Sequence, residues 1–341
     1  MTSPEIKQAT DRMFYEVGQF PQMLLDTVET GFRFKPKGAE ASGILLLGMG
    51  GSGIASDIAH DISLADSRIP VKVWKYPDLP AWAGPGVIAA VSSYSGNTRE
   101  TLVQYRQAMG RGCQIVVLTQ GGVLGEEAVR NKQATFTYVG GVQPRSALPA
   151  GLAGYALLLD SINGTDYAGD IRRTVPDLQR LSRRYAKSDG LAHRIAESIG
   201  GRTPVIYCSS DISGTGVRWK GQVCENAKTT AGVGMISGRT ELPEWSRRGM
   251  SRKCVPVFLY EEGAPKAVRD CFDACIKDVR ARGADAKVVM LKGGTVLQRT
   301  LYGTLLGDYV SLFLAKARGV DPMNVPTITE LKRLQSAALD P

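Results

Sequence analysis

Two loops rich in glycine and hydroxyl residues carry the strongest chemical signal in this sequence. The first loop is Gly48–Gly53, which follows the apolar run Leu45–Leu47. The second is Ser93–Thr98, which follows the apolar run Val87–Val91. Both loops lead into segments with a helical pattern, and the first turn of a helix offers unpaired N–H groups and a positive dipole end to an anion. The hydroxyl groups add oriented donors, so the two loops together predict one phosphate site.

The Gly48–Gly53 loop also matches the dinucleotide pattern G-x-G-x-x-G. That pattern calls for an acidic residue at the end of the second strand, where it binds the ribose. Here the second strand, Val71–Tyr76, carries lysines and is followed by no carboxylate before Asp78. A nicotinamide cofactor, NAD(P), is therefore the weaker alternative. Two plainer interpretations also stay open: glycines needed only for a tight turn, and Thr98 as the N-cap of the next helix.

Composition and charge exclude several classes of protein. No apolar run reaches membrane-spanning length, and the N-terminus lacks a basic segment followed by an apolar one, so we expect a cytoplasmic protein without a signal peptide. The net charge is +9, but the basic residues are scattered and no nucleic-acid recognition module is visible. Attraction of anionic small substrates explains that charge as well. Six cysteines without a C-x-x-C pair, and only two histidines, favour reduced thiols and no metal site.

Alternating strand and helix patterns predict an α/β fold in two halves, each a parallel sheet flanked by helices as in a flavodoxin-like αβα sandwich. A helical segment at 5–32 precedes them. Predicted strands lie at 43–47, 70–75, 87–91, 114–118, 135–139, 204–208, 253–260 and 286–291, with helices at 98–109, 217–228, 264–282, 300–318 and 325–339. The predicted organisation is an N-terminal helix (1–32), a first domain (33–155), a helical connector (156–194), a second domain (195–320) and a helical tail (321–341).

Three further segments, Pro144–Pro149, Glu225–Lys228 and Ile328–Lys332, complete a family likeness. Together with the two loops, and in this order, they make nearly the whole chain similar to the bifunctional phosphoglucose/phosphomannose isomerases, which are built from two sugar isomerase (SIS) domains. The resemblance implies that both halves are SIS domains. It also implies aldose–ketose isomerisation of a sugar phosphate without a metal or other cofactor, in a homodimer with shared active sites.

The resemblance also implies roles for individual residues. Glu225 would be the base that moves a proton between C2 and C1, Arg145 would stabilise the enediolate, and Lys332 would lie near the sugar oxygens. A carboxylate in a partly dry site is a strong base because desolvation penalises its charged form, and a fixed guanidinium favours the charge of the transition state. Alternatively, Glu225 is a surface carboxylate paired with Lys228 or Lys220, and the two cations are plain surface residues. The residues implied to hold the phosphate are Gly51, Ser52, Ser93, Ser95 and Thr98.

One departure from the family pattern bears on the chemistry. The family has a histidine that helps to open the sugar ring, after a Leu-Pro-Glu-like segment, and Arg247 occupies that position here. Arginine stays protonated and cannot shuttle a proton, although it can bind an anion through two hydrogen bonds. Three consequences stay open: ring opening by another residue or spontaneously, a substrate that is acyclic or has a second anionic group contacted by Arg247, or a non-catalytic phosphosugar-binding protein.

Overall fold

The structure is a computed structural model that describes residues 3–37, 41–138, 140–236 and 250–338. Its first half contains a five-stranded parallel sheet in the order β2-β1-β3-β4-β5. The strands are β1 (Gly43–Gly48), β2 (Val71–Trp74), β3 (Val87–Ser93), β4 (Gln114–Thr119) and β5 (Ala134–Thr137). Because the strand order reverses between β1 and β3, the loops after these two strands border the crevice where open α/β sheets bind ligands.

The described residues before the second sheet form eight helices. They are α1 (Ser3–Gly18), α2 (Phe20–Glu29), α3 (Gly50–Ser63), α4 (Arg99–Gly110), α5 (Gly122–Arg130), α6 (Leu148–Asn163), α7 (Tyr167–Tyr185) and α8 (Leu191–Ile199). The helical segment predicted at 5–32 is thus two helices that meet at Gln19. Pro21 lies in the first turn of α2, and its missing N–H prevents one continuous helix through this point.

The second half contains a four-stranded parallel sheet in the order β7-β6-β8-β9. Its strands are β6 (Thr203–Cys208), β7 (Gly232–Met235), β8 (Cys254–Glu261) and β9 (Lys287–Leu291). Its helices are α9 (Ser213–Ala227), α10 (Met250–Lys253), α11 (Lys266–Ala281), α12 (Val296–Arg318) and α13 (Pro326–Ala338). The two parallel sheets with flanking helices confirm the predicted α/β class. α9 begins earlier than predicted, after a 3₁₀ turn at Ser210–Ile212.

β7 is a strand that the sequence pattern does not reveal. Two of its four residues are glycines, and glycine is depleted in strands. A Cβ atom at Gly234 would lie 2.9 Å from the ring of Tyr207 on β6. The glycine therefore permits a close approach between β7 and a large side chain of its neighbour.

Helices from the middle of the chain join the two sheets. α3 packs against both α6 and α9, and α12 packs against α7, α8 and α9. One apolar core contains residues of both sheets. α6 begins at Leu148 and so crosses position 155, where the first domain was predicted to end; the domain limits stay a prediction. Of the helices described, none combines the length and the apolar character that crossing a bilayer requires.

Candidate active site

The Gly48–Gly53 loop forms the tight turn between β1 and α3. Gly50 has a φ of +53°, which favours glycine. A Cβ atom at Gly53 would lie 2.9 Å from the carbonyl oxygen of Gly48, so the turn closes too tightly for a side chain there. Met49 holds the N-cap position with an extended backbone and no side-chain capping bond. The first N–H groups of α3, at the carboxyl end of β1, therefore have no side-chain cap from this residue.

The second loop, Ser93–Thr98, forms the turn between β3 and α4. The Ser93 hydroxyl donates to Oγ1 of Thr98 at 3.1 Å, and Oγ of Ser95 accepts from the backbone N–H of Asn97 at 3.2 Å. Thr98 occupies the N-cap position of α4, as predicted, but its side chain does not cap the helix. Its hydroxyl instead belongs to the loop, which leaves the start of α4 open to an anion.

The two loops contact each other directly. The backbone N–H of Tyr94 donates to Oγ of Ser52 at 3.2 Å, so the first loop is fastened to the second by one of the predicted phosphate-binding hydroxyls. Ser93 is buried and Ser95 is exposed, whereas Ser52 and Thr98 are half-buried. The structure thus brings these predicted residues together, although Ser93 is buried and its hydroxyl is bonded to Thr98.

A buried set of hydroxyl groups lies beneath the two loops. Oγ of Ser56 donates to the carbonyl oxygen of Ser52 at 3.1 Å and lies 2.9 Å from the hydroxyl of Tyr155. Oγ of Ser92 lies 2.8 Å from the hydroxyl of Tyr138. Burial raises the pKa of Tyr155 to about 12, so this hydroxyl stays neutral and can hold its hydrogen bonds at physiological pH.

Arg145 lies next to the first loop and is almost completely buried. A Cβ atom at Gly51 would lie 3.4 Å from the carbonyl oxygen of Pro144 and 3.7 Å from Cα of Arg145. Nη1 of Arg145 lies 3.9 Å from Oε2 of Glu225. Burial lowers the pKa of Arg145, and the nearby Glu225 carboxylate opposes that shift. The predicted base and the predicted cation are therefore neighbours, beside the glycine loop.

Glu225 lies in the last turn of α9, and its side chain is 34% exposed. It lines a cavity of about 470 Å³ that also includes residues from the segment before α13 and the start of that helix, namely Asp321 and Asn324–Ile328. Lys228 follows α9 with a φ of +53° and donates from Nζ to the backbone oxygen of Glu225. Burial lowers the pKa of Lys228, and the positive charge of Arg145 adds to that shift. The Glu225 carboxylate thus lies at a cavity that Lys228 and Asp321 also line, and its ion-pair partner is Arg145 rather than Lys220.

Two predicted residues cannot be placed in this way. Lys332 lies on α13, but its side chain is outside the described residues. Arg247 also lies outside the described residues. No cluster of three or more histidine, cysteine, aspartate or glutamate side chains suited to a metal ion occurs in the described part of the chain.

Sequence reasoning missed the residues that hold Arg145. Asn226 and Arg218 contact its side chain and its backbone, and both lie on α9. Asn226 lies in the Glu225–Lys228 motif, so the motif pointed to it, but only Glu225 of that motif was assigned a role. Arg218 gave no signal, because a lone arginine in a helical pattern is usually exposed.

The chain is similar to several known proteins. Residues 188–334 match the family model described as the bacterial phospho-glucose isomerase C-terminal SIS domain. The bifunctional phosphoglucose/phosphomannose isomerase of Caldicellulosiruptor bescii is 32% identical over 94% of this chain and 98% of its own length. The D-glucosamine-6-phosphate 4-epimerase of Sulfolobus acidocaldarius is 31% identical over 69% and 74%.

A solved structure shares the fold. The C-terminal domain of glucosamine-fructose-6-phosphate aminotransferase from Francisella tularensis superposes with a TM-score of 0.76 at 15% identity, covering 92% of this chain and 98% of that one. The fold, the paired loops and the family model together define an SIS-domain protein. The near full-length relatives narrow this further: the chain belongs to the bifunctional phosphoglucose/phosphomannose isomerase family.

Proposed function

We propose that the protein is a phosphosugar aldose–ketose isomerase. Its substrates are glucose 6-phosphate or mannose 6-phosphate, or a variant sugar phosphate, in exchange with fructose 6-phosphate. The observation that carries this proposal is the pairing of Arg145 with Glu225, at 3.9 Å between Nη1 and Oε2, beside the glycine loop at Gly51. A carboxylate base and a fixed cation within reach of one phosphate site are what a proton transfer next to a carbonyl requires.

The roles follow from the chemistry of the two groups. The proton on C2 passes to Glu225 and then to C1, while a hydroxyl proton moves from O2 to O1, so aldehyde and ketone exchange places without net gain or loss. Arg145 stabilises the negative enediolate oxygen, because its charge acts most strongly where charge develops. Lys332 contacts the sugar oxygens. The phosphate is held by Gly51, Ser52, Ser93, Ser95 and Thr98, with N–H groups from both helix starts.

We also propose that the enzyme is a cytoplasmic homodimer whose active sites are shared. The exposure of the Glu225 side chain, 34% in the single chain, supports this, since a base of this kind works best when bound substrate or a second chain excludes water. Arg247 then contacts the substrate in place of the family histidine.

The decisive experiment is deuterium exchange from solvent at C2 of glucose 6-phosphate, mannose 6-phosphate and fructose 6-phosphate. Glu225→Gln should lower the exchange rate by several orders of magnitude and leave the affinity for inorganic phosphate nearly unchanged. Glu262→Gln changes an exposed carboxylate after β8 and is the matched control, with exchange as in the wild type. Retained exchange in Glu225→Gln removes this residue from the mechanism, and a wild type that binds these sugars and their acyclic analogues without exchange of either removes the isomerase.

A second candidate is a non-catalytic phosphosugar-binding protein, favoured by the arginine at the position of the ring-opening histidine. It predicts thermal stabilisation by sugar phosphates, since a ligand that binds only the native state raises its apparent stability. It predicts no exchange, even with acyclic analogues that bypass ring opening. Exchange with acyclic analogues alone would retain the isomerase and identify ring opening as the step that Arg247 has altered.

A further inference from the structure

Arg145 and four residues around it form a closed circuit of hydrogen bonds. Nη2 of Arg218 donates to the backbone oxygen of Arg145 at 2.8 Å, and Nε and Nη2 of Arg218 each donate to the Asp308 carboxylate at 2.8 Å. Oγ of Ser311 donates to the backbone oxygen of Asp308 at 2.6 Å and accepts from Nδ2 of Asn226 at 2.9 Å. Nε of Arg145 then donates to Oδ1 of Asn226 at 3.0 Å, which closes the ring.

The circuit fixes one side of the Arg145 guanidinium. Nε is held by Asn226, and Nη2 donates to the backbone oxygens of Pro322 and Met323. Nη1 is left on the side of Glu225. A guanidinium held by two of its three nitrogens cannot rotate about its long axis, so the remaining nitrogen keeps one direction. That direction is toward the carboxylate proposed as the base.

The Arg218–Asp308 pair at the far side of the circuit is almost entirely buried. Such a pair is weak evidence for stability, because desolvation of two charges offsets their attraction. The second half of the chain contains an equally buried pair, Arg299 with Glu261, which holds Ser209 and the backbone oxygen of Gly293. Among the residues that the structure describes, that pair makes no hydrogen bond or ion pair to the circuit. It is therefore a natural control for the effect of losing a buried ion pair.

We propose that Arg218, Asp308, Ser311 and Asn226 are positioning residues, which together hold the Arg145 guanidinium in the direction needed for its action on the substrate. This inference rests on the proposed role of Arg145 in isomerisation. The circuit joins α9 and α12 to the loop that carries Arg145, so it converts the packing of two buried helices into the orientation of one side chain. None of the four touches the substrate, and each acts through Arg145.

The first test compares Asp308→Asn with Glu261→Gln. Both replace a buried carboxylate by an amide, and both should lower the midpoint of urea unfolding. Only Asp308→Asn should lower kcat, by roughly 10- to 100-fold for a catalytic group displaced by about 1 Å, with KM within roughly two-fold of the wild type. An equal loss of kcat in both variants, or a loss in neither, overturns the proposal.

The second test uses a milder variant and a readout that does not need turnover. Ser311→Ala removes one link of the circuit and leaves both charges paired. The rate at which phenylglyoxal modifies Arg145, measured by peptide mass spectrometry with Arg299 as internal reference, should rise roughly five-fold, the equivalent of one net hydrogen bond. An unchanged rate overturns the proposal whatever the activity. A raised rate in Ser311→Ala, combined with a wild type that shows no C2 exchange with the sugars or their acyclic analogues, keeps the positioning of Arg145 and rejects the isomerase.

Discussion

Gly96 provides the sharpest test of how the second loop, Ser93–Thr98, is built. Its φ is +69°, and a Cβ atom there would lie 1.7 Å from the backbone oxygen of Gly121. The loop is pressed against the start of α5, where the N–H of Leu124 donates to the Gly96 oxygen at 2.9 Å and the N–H of Gln120 donates to the Tyr94 oxygen at 3.1 Å. Gly96→Ala therefore meets two separate obstacles, one conformational and one steric.

The expected cost can be added from these two obstacles. The left-handed backbone costs about 1–2 kcal/mol for alanine. Relief of the clash requires the loops to separate by more than an ångström, which breaks the two inter-loop hydrogen bonds at about 1 kcal/mol each. Gly96→Ala should therefore lose about 3–4 kcal/mol of unfolding free energy. Its affinity for inorganic phosphate should also fall, because the start of α4 moves with the loop.

Two glycines elsewhere separate the contributions. Gly31 has a φ of +64° with nothing within 4 Å of an added Cβ, so Gly31→Ala measures the conformational cost alone, about 1–2 kcal/mol. Gly110, at the end of α4, has neither obstacle, and Gly110→Ala should be neutral or stabilising by up to about 1 kcal/mol. Urea unfolding gives the free energies, and calorimetric titration gives the phosphate affinity. If Gly96→Ala loses no more stability than Gly31→Ala, the steric argument is refuted.

Three further predictions concern the same loops and the helix core. Ser52→Ala removes the acceptor of the Tyr94 N–H and should weaken phosphate binding by roughly five-fold in calorimetric titration; unchanged affinity would exclude the hydroxyl from the site. Burial raises the pKa of Tyr155 from 10.0 to about 12, so between these pH values the folded chain keeps a proton that the unfolded chain loses, and the unfolding free energy falls as the pH rises. Tyr155→Phe should make that fall shallower in urea unfolding between pH 10 and 12. An equally steep fall would contradict the assignment. Gly307→Ala places a Cβ 2.4 Å from Nε1 of the buried Trp219 and should lower the unfolding free energy by about 1–3 kcal/mol through overpacking. An unchanged urea midpoint would show that the core rearranges without cost and would contradict this prediction.

Sequence patterns predict the parts of this molecule that depend on local chemistry. The alternation of apolar runs and helical segments gives both parallel sheets, and the Gly48–Gly53 and Ser93–Thr98 loops are predicted because a tight strand-to-helix turn needs glycine. Where a contact joins distant residues, the pattern fails. β7 was missed because Gly234, which makes room for the ring of Tyr207, is a residue type that is rare in strands. The side chain of Thr98 does not cap α4, because it bonds to Ser93 instead.

At the site around Arg145 as well, the residues could be predicted from the sequence and their long-range contacts could not. The family likeness implied the roles of Arg145 and Glu225, and the structure adds their 3.9 Å pairing. The bonds that orient Arg145 reach Asn226 and Arg218, which lie far along the chain. Such bonds leave no periodic trace in sequence, because they depend on how two helices pack rather than on what either helix contains. Orientation of the guanidinium is therefore a property of the fold, whereas its presence is a property of the sequence.

The second half shows why a similar fold need not give a second phosphate site. α9 follows β6 as α3 follows β1, but its start is already occupied: the Asp61 carboxylate accepts from the N–H of Gly214 at 2.7 Å and from the hydroxyl of Ser213 at 3.0 Å. Burial raises the pKa of Asp61, and these hydrogen bonds oppose the shift. At the end of β8, Glu261 takes the hydroxyl of Ser209 in the same manner. Two carboxylates of the chain thus accept hydrogen bonds from donors at this end of the second sheet, and a phosphate at the equivalent place in the second half would have to displace them.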